Sequence, residues 1–539
     1  MYTFLSKKLR YMLRQKEDDS QNKKPQPDYK EKLISGNLTA DLELIRKVMG
    51  TSSDIKIHEF KYGENSSQKG ALLFIDGLVS NDIITQSILK PLILSRNLND
   101  YQIGEMKKTL DIVKQTVICS GDIVERHTIG ELIEGCLSGD TVFLSEGFDK
   151  ALIISTKGWE KREVSEPQTE PVVRGPREGF TENFRTNTAL IRRRIKSPHL
   201  RMDHFTIGEK TETNVCVVYL EGVANPDIVE TVKVRLKTIK TDSIIDSGYI
   251  EQYIEDHPYS IFQTIGYSEK PDVISARILE GRIAVITDGS PFALTMPMLF
   301  VESFQTAEDY YTKPYFASIT RFMRFLAFLI TVSAPAIFVA LTVYHQEFIP
   351  TTLLLTIAAA REGTPFPAFI EALIMVFAFE ILREAGLRLP RPVGQAISIV
   401  GALVMGEAAV SAGIVGAPMV ITIALTAVAG FVVPDQNDAA SILRLILLIL
   451  AATLGAYGLS LGFLGILIHL ASLKSFGVPY NSSLAFLKNM QDSYIRMPLW
   501  AMTKRPESIA KGDIKRKQYN VPPSPRAGDK ADTLEGNQT

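Results

Sequence analysis

Residues 322–344 read FMRFLAFLITVSAPAIFVALTVY, with one cation and no carboxylate. A hydrocarbon layer about 30 Å thick is crossed by roughly 20 mostly apolar helical residues. The stretch therefore predicts a membrane-spanning helix. Moving toward the C-terminus, residues 349–360 are apolar but too short, which suits a re-entrant or interfacial piece. Residues 365–382, 393–412 and 414–433 are long enough to cross, and 445–473 suits one tilted helix or a broken one. Moving toward the N-terminus, charge returns and the pattern becomes that of soluble protein.

The chain has 539 residues, so two or three domains are expected. Its formal charge of −1 gives no bias toward nucleic acid. Cys119, Cys136 and Cys216 have unrelated spacings, which argues against a disulfide framework or a zinc site. That usage suits a reducing, cytoplasm-facing compartment. Residues 1–30 read as a flexible basic arm, disordered or grazing anionic lipid, with no secretory signal. Residues 31–158 alternate strand and helix patterns, predicting a mixed sheet covered by helices. The strands fall at 55–62, 71–79, 142–144 and 151–155. Residues 159–181 are a Pro- and Gly-rich linker. Residues 182–305 form a second α/β unit, with a basic helix at 187–196, strands at 215–220, 244–245 and 283–287, and a helix at 226–240 capped by Asn225. Residues 306–473 are the transmembrane helical domain and 474–539 a basic polar tail. The fold class is an α/β cytoplasmic region of two subdomains followed by an all-α multi-spanning membrane domain. No internal repeat is evident.

Lys313, Arg321 and Arg324 precede the first span, which places the N-terminal region in the cytoplasm. The tail after Leu473 carries eleven Lys/Arg against six Asp/Glu and also belongs inside. Five crossings would put it outside. Either the last apolar segment is two pieces, or residues 349–360 cross, or the tail breaks the rule.

No phosphate-binding loop, zinc-protease motif, kinase set or nucleophile elbow is present, so no enzyme, cofactor or metal is expected. The carboxylates inside apolar segments are the informative residues, because a charge in hydrocarbon faces water or a partner. Glu380 precedes Arg383 by three residues, which favours a local ion pair. Glu371 is either pore-facing, or snorkels to the interface or bonds a neighbouring helix. Glu407 lies among Gly401, Ala402, Gly406, Ala408 and Ala409. It either lines a pore contributed by several copies, or snorkels to the interface or bonds a neighbouring helix. Gly458 and Gly462 form a G-x-x-x-G pair suited to close helix packing. Arg174, Arg177, Arg192, Arg193 and Arg194 suit an anion, a phospholipid or salt bridges between domains.

Five stretches together carry a family resemblance: VRGPREGFT at 173–181, NTALIRRRI at 187–195, DGSPFALTMP at 288–297, REGTPFPAFIE at 361–371 and PRPVGQA at 390–396. The combination resembles the A subunit of Ger-type bacterial spore germinant receptors, over about residues 35–500. The resemblance implies a subunit of the inner spore membrane with two packed α/β subdomains on the core side. It implies partners: a transporter-like, nutrient-binding B subunit and a lipoprotein C subunit. It also implies oligomerisation into a nutrient-gated channel that releases monovalent cations. Val404, Glu407 and Val410, at helical spacing, are then the pore-facing candidates, the valines supplying an apolar constriction. Two rival readings are a solute transporter with a regulatory cytoplasmic domain and a non-conducting scaffold. Transporters commonly show internal repeats.

Overall fold

The computed structural model describes residues 29–62, 68–94, 122–158, 167, 169–388, 406–481, 492–499, 501–502, 504–506, 509–512 and 516. Residues 1–28 of the basic arm, Cys119, Val404 and the 390–396 stretch lie outside them.

The first subdomain starts with helix α1 (Leu38–Met49), which forms because the Asn37 side chain accepts the Ala40 amide at 3.1 Å. Leu38, Leu42, Ile45 and Met49 recur at helical spacing and are buried. Strands β1 (Ile55–Tyr62), β2 (Gln68–Ile75), β3 (Ile123–Arg126), β4 (Thr141–Ser145) and β5 (Ala151–Ile154) pair in the order β1-β2-β4-β5-β3. Helix α2 (Ile129–Leu137) joins β3 to β4. A helical stretch with a π-helical section, Ile84–Leu89, follows β2. Adjacent residues Leu72 and Leu73, and Val142 and Phe143, are fully buried on opposite faces. Two apolar faces are what a sheet covered by helices on both sides requires. Every strand pair is antiparallel, not mixed as the alternating pattern predicts. The helical crossovers join strands that are not neighbours, so alternation of helix and strand does not impose parallel pairing.

The second subdomain runs α3 (Phe184–Arg194), β6 (Leu200–Ile207), β7 (Thr213–Leu220), α4 (Pro226–Thr238), α5 (Ser247–Ile254), β8 (Gly266–Ser268), α6 (Pro271–Leu279), β9 (Ile283–Thr287) and β10 (Ala293–Met296). Asn225 caps α4, as its position predicts, accepting the Asp227 amide at 3.2 Å. Residues 244–245 are not a strand but a loop.

The second sheet pairs β6-β7-β9-β10-β8, all antiparallel, the same order as the first. The repeat extends to single hydrogen bonds. The Asp76 amide donates to the Asp54 carbonyl, and Glu221 to His199. Gly147 donates to the Gly36 carbonyl, and Gly289 to Glu182. Gly77 and Gly222 close matching turns at φ +89° and +82°. The two halves share turn glycines and burial pattern rather than residue identities. Apolar types interchange freely within such a pattern, so a repeat in the backbone leaves little repeat in the letters.

Beyond β10 the chain enters the helices. α7 (Pro314–Val343) is followed by short α8 (Thr351–Arg361), α9 (Ala368–Arg388), α10 (Ala417–Gly430) and α11 (Asn437–Ser472). Among the described residues two stretches, Pro314–Val343 and Pro434–Ser472, are long and apolar enough to cross a membrane. The second is not one rod. Gly455 breaks α11 with φ +61° and ψ −139°, and a Cβ on Gly462 would lie 2.4 Å from the Leu447 side chain. In a straight helix those residues stand about 22 Å apart. Residues 437–454 and 456–472 are therefore two antiparallel arms reversing at Gly455. Each arm is about 26 Å long.

Both arms start and finish beside the second subdomain. Gln436 donates to Ser303 at 2.7 Å, and His469 meets Ser260 at 3.2 Å. The hairpin tip rests on Tyr344, whose hydroxyl donates to the Ala452 carbonyl at 2.7 Å. The chain then returns to the subdomain. Strands β11 (Lys474–Ser475) and β12 (Val478–Pro479) form a small ribbon, and Phe476, Val478 and Ile509 enter the second subdomain's core. Part of the polar tail is thus built into the head. The last apolar segment is two pieces, which is one of the three ways out of the topology conflict.

Candidate functional site at the junction of head and helices

α7 is fastened to the head at its first turns. Thr306 and Asp309 form a reciprocal cap that fixes Asp309 in place. Asp309 accepts Arg321 Nε at 2.9 Å and Arg324 Nη1 at 2.9 Å. Arg321 also donates to the Asp492 and Ser493 carbonyls at 3.0 and 3.1 Å. The Tyr310 ring lies between the Arg321 and Arg496 guanidinium groups, 5.4 and 5.7 Å from its centroid. Its hydroxyl donates to Asp492 at 3.1 Å. Desolvation, then the Asp492 charge, push that hydroxyl well above the ordinary tyrosine range. Three distant segments, the exit from the head, the start of α7 and the returning tail, meet at one charged knot. An adjoining cavity of about 60 Å³ is lined by Glu280, Arg282, Glu302, Gln305 and Tyr310 among others. Desolvation works against the Arg282 charge there, but the Glu302 and Glu280 carboxylates outweigh it and hold its pKa up.

The carboxylates in the apolar segments have different surroundings. Glu371, in the first turn of α9, is 0% exposed. Its Oε1 accepts Arg361 Nη2 at 3.1 Å and Thr364 Oγ1 at 3.1 Å. Its Oε2 accepts the Gly416 amide at 3.1 Å, at the residue that precedes α10. The pore-facing expectation for Glu371 gives way to the bonded one, because all its oxygens are spent inside the bundle. Glu380 bonds Arg383 at 2.7 Å and also Arg444 of α11. Glu407 lies exposed in the helical stretch 406–411, and no hydrogen bond or ion pair reaches it among the described residues. Val410 is half-buried.

Gly458 and Gly462 face the first arm of their own hairpin. A Cβ on Gly458 would fall 2.2 Å from the Leu450 carbonyl oxygen. Their glycines permit the two arms to touch.

The arginine candidates separate. Arg192, 1% exposed, crosses to the first subdomain, where Asp54 accepts its Nε and Nη2 at 2.8 and 3.0 Å and Ser52 Oγ accepts at 3.2 Å. Arg193 and Arg194 both pair with Glu178 of the linker. Arg174 and Arg177 are exposed on that linker. Sequence reasoning missed Asp309, Asp492 and Arg444. Arg444 had a signal: it is the one cation in the apolar run 439–468. Among the described residues no group of three or more His, Cys, Asp or Glu is gathered for a metal. Burial pushes the Cys136 thiol up to about 12, so it is an inert core residue.

The chain is a duplicated α/β head knotted to a bundle of apolar helices. The sequence model described as Bacillus/Clostridium GerA spore germination protein matches residues 43–508. The chain belongs to this GerA family, whose role is in spore germination. It is 45% identical over 501 residues to spore germination protein KA of Bacillus subtilis (strain 168), covering 92% of this chain and 91% of that one. It is 41% identical over 490 residues to the uncharacterized membrane protein YfkQ of the same organism, covering 90% and 94%. It is 38% identical over 484 residues to spore germination protein GerLA of Bacillus cereus, covering 89% and 97%. Among solved structures it is similar to the N-terminal domain of the A subunit of the Bacillus megaterium spore germinant receptor GerK3. There the identity is 35%, with 50% of this chain and 97% of that one covered and a TM-score of 0.39.

Proposed function

We propose that this chain is a non-enzymatic A-type subunit of a nutrient germinant receptor in the inner spore membrane. Its helices cross the bilayer several times, with the head and the returning tail on the cytoplasmic, core side. Several copies assemble around a conduit for monovalent cations. Nutrient binding on a B-type partner, in a complex that also holds a C-type lipoprotein, shifts the assembly toward its open state. A ligand does so only through its different affinity for the two states.

The observation that carries this reading is the contrast between carboxylates. Glu371 and Glu380 are neutralised by arginines, while Glu407 is exposed with no partner among the described residues. An unpaired carboxylate within lipid depth calls for water, and a ring of them favours cations. The charged knot at Asp309 and Arg321 supplies a rigid route from head to first helix. The repeat lies in the head rather than in the helices, so it lends no support to a transporter built on repeated helical halves.

Nutrient-triggered cation release from spores carrying Glu407→Gln tests this. The reading expects release slowed about tenfold or more, with the head still folded. Unchanged release in Glu407→Gln and in Val410→Ala would sink it. Saturable uptake of a labelled solute by the reconstituted protein would favour the transporter.

A further inference from the structure

A second charged group in the helices has a composition the conduit does not use. Glu380 and Arg383 of α9 meet Ser441 and Arg444 of α11. Glu380 Oε1 accepts from Arg444 Nη2 and from Ser441 Oγ, and its Oε2 pairs with Arg383 Nη2 at 2.7 Å. Both guanidinium groups also reach Ser441 Oγ at 3.3 Å. Two permanent positive charges thus share one carboxylate. Glu384, the next acid on α9, is engaged by Arg388. Residues 389–405, which leave α9, contain no Asp or Glu. Among the described residues one positive charge of this group remains unbalanced.

The donors are unbalanced too. Arg444 is 3% exposed, yet its buried Nε has no hydrogen-bond partner. An unsatisfied buried donor on a charged group is costly, and an anionic ligand would offset that cost. Arg383 is the accessible member, its side chain about one quarter exposed (24%). Arg444 lies eight residues beyond Gln436, which is bonded to the head at Ser303. At 1.5 Å per residue the group stands about 12 Å along the helix from that anchor. If α9 and α11 cross the bilayer, this is the headgroup side of the leaflet nearest the head. Exposed apolar residues occupy the same two helices at this level: Phe377 and Ile381 on α9, Ile442 and Ile446 on α11. Guanidinium forks match phosphate oxygens with paired, charge-assisted bonds. Basic pockets between helices on this side of a membrane hold anionic headgroups.

We propose that Arg383 and Arg444, held on Glu380 and Ser441, bind the phosphate of an anionic phospholipid in the leaflet adjoining the head. The site rests on the reading that these helices cross the bilayer. It is separate from Glu407 and from nutrient binding. Its role is to supply the missing counter-charge and to fasten α9 against α11.

The test uses the full chain, extracted in detergent, delipidated and reconstituted in nanodiscs of phosphatidylcholine with or without phosphatidylglycerol. Native mass spectrometry reads the lipid retained. Phosphatidylglycerol is expected to be retained about tenfold over phosphatidylcholine. Arg383→Gln, at the accessible position, abolishes that preference. Glu380→Gln raises it, because the site gains net positive charge, whereas a purely structural ion cluster would be weakened by the same change. Equal retention of the two lipids by protein that resists alkaline carbonate extraction overturns the site and leaves the crossings standing. Protein that carbonate strips from the membrane overturns the crossings, and the site with them. Inorganic phosphate that displaces phosphatidylglycerol at millimolar concentration overturns the lipid as the source of the phosphate.

Discussion

The two α/β subdomains have the same strand order and opposite dependence on the rest of the chain. In the first, Val79 at the end of its β2 turn is bridged by Lys157, which follows β5 directly. In the second, the matching residue is Ala224, and it is bridged by Ala510 from the far end of the chain. Gly158 and Gly512 make corresponding close approaches: a Cβ on the first would strike Ser80, and on the second the Gly222 carbonyl. The first subdomain closes itself. The second is closed by the tail that returns from the helices, and its last strand leads into α7. Among the described residues one copy of the fold is therefore closed by its own chain and held by its sibling. The other is tied to the helices at both its exit and its closure. Among those residues a change in the helices reaches the second subdomain directly and the first across the seam that contains Arg192.

The contrast is broken most completely at that seam. Arg192→Ala leaves Asp54 buried without its partner, and removing one member of a buried pair costs about 3–5 kcal/mol. The two subdomains of the solubilised protein are expected to unfold in separate transitions by calorimetry, where the native seam gives one. A single unshifted transition would show that the seam does not couple them.

Truncation after Thr503 gives a smaller, one-sided effect. It removes buried Ile509 and Ala510 from the second subdomain, and among the described residues it touches nothing in the first. Loss of one large buried aliphatic costs about 2–4 kcal/mol. Hydrogen exchange is expected to rise in residues 220–224 and 279–283 while residues 75–79 stay protected. Equal deprotection of both regions would contradict the self-closure of the first.

The smallest effect comes from pH. Glu251 of α5 belongs to the second subdomain, and desolvation, then Glu255 and Asp246, raise its pKa to about 7. The folded state holds this proton above the unfolded pKa of about 4.3. The stability it contributes is fully present below that value and is lost as pH rises through about 7. The second subdomain is expected to weaken by about 2–3 kcal/mol between pH 5 and 8. Glu251→Gln flattens the dependence. A thermal scan in which the variant keeps the wild-type slope would remove Glu251 as the cause.

Local features were readable from the residues themselves. Strands 55–62 and 283–287 and the Asn225 cap follow from alternation and from a side chain bonding two residues away. The apolar runs follow from composition. The junction was not readable. Asp309 and Asp492 look like ordinary solvent-side acids, and nothing in their neighbourhoods announces that they share Arg321. Glu371 and Glu407 look alike as carboxylates in apolar sequence, yet one is spent on Arg361 and the Gly416 amide and the other is exposed.

What the sequence determined was which segments are apolar, which are periodic and where the chain turns, because those depend on residues within one or two turns of each other. The tertiary structure decided the rest: that two unlike stretches adopt one topology, that α11 folds back at Gly455, and that the tail closes the second sheet. Each of these is a pairing of residues far apart along the chain. Its energy exists only after the intervening chain is closed, so no local window of the sequence records it.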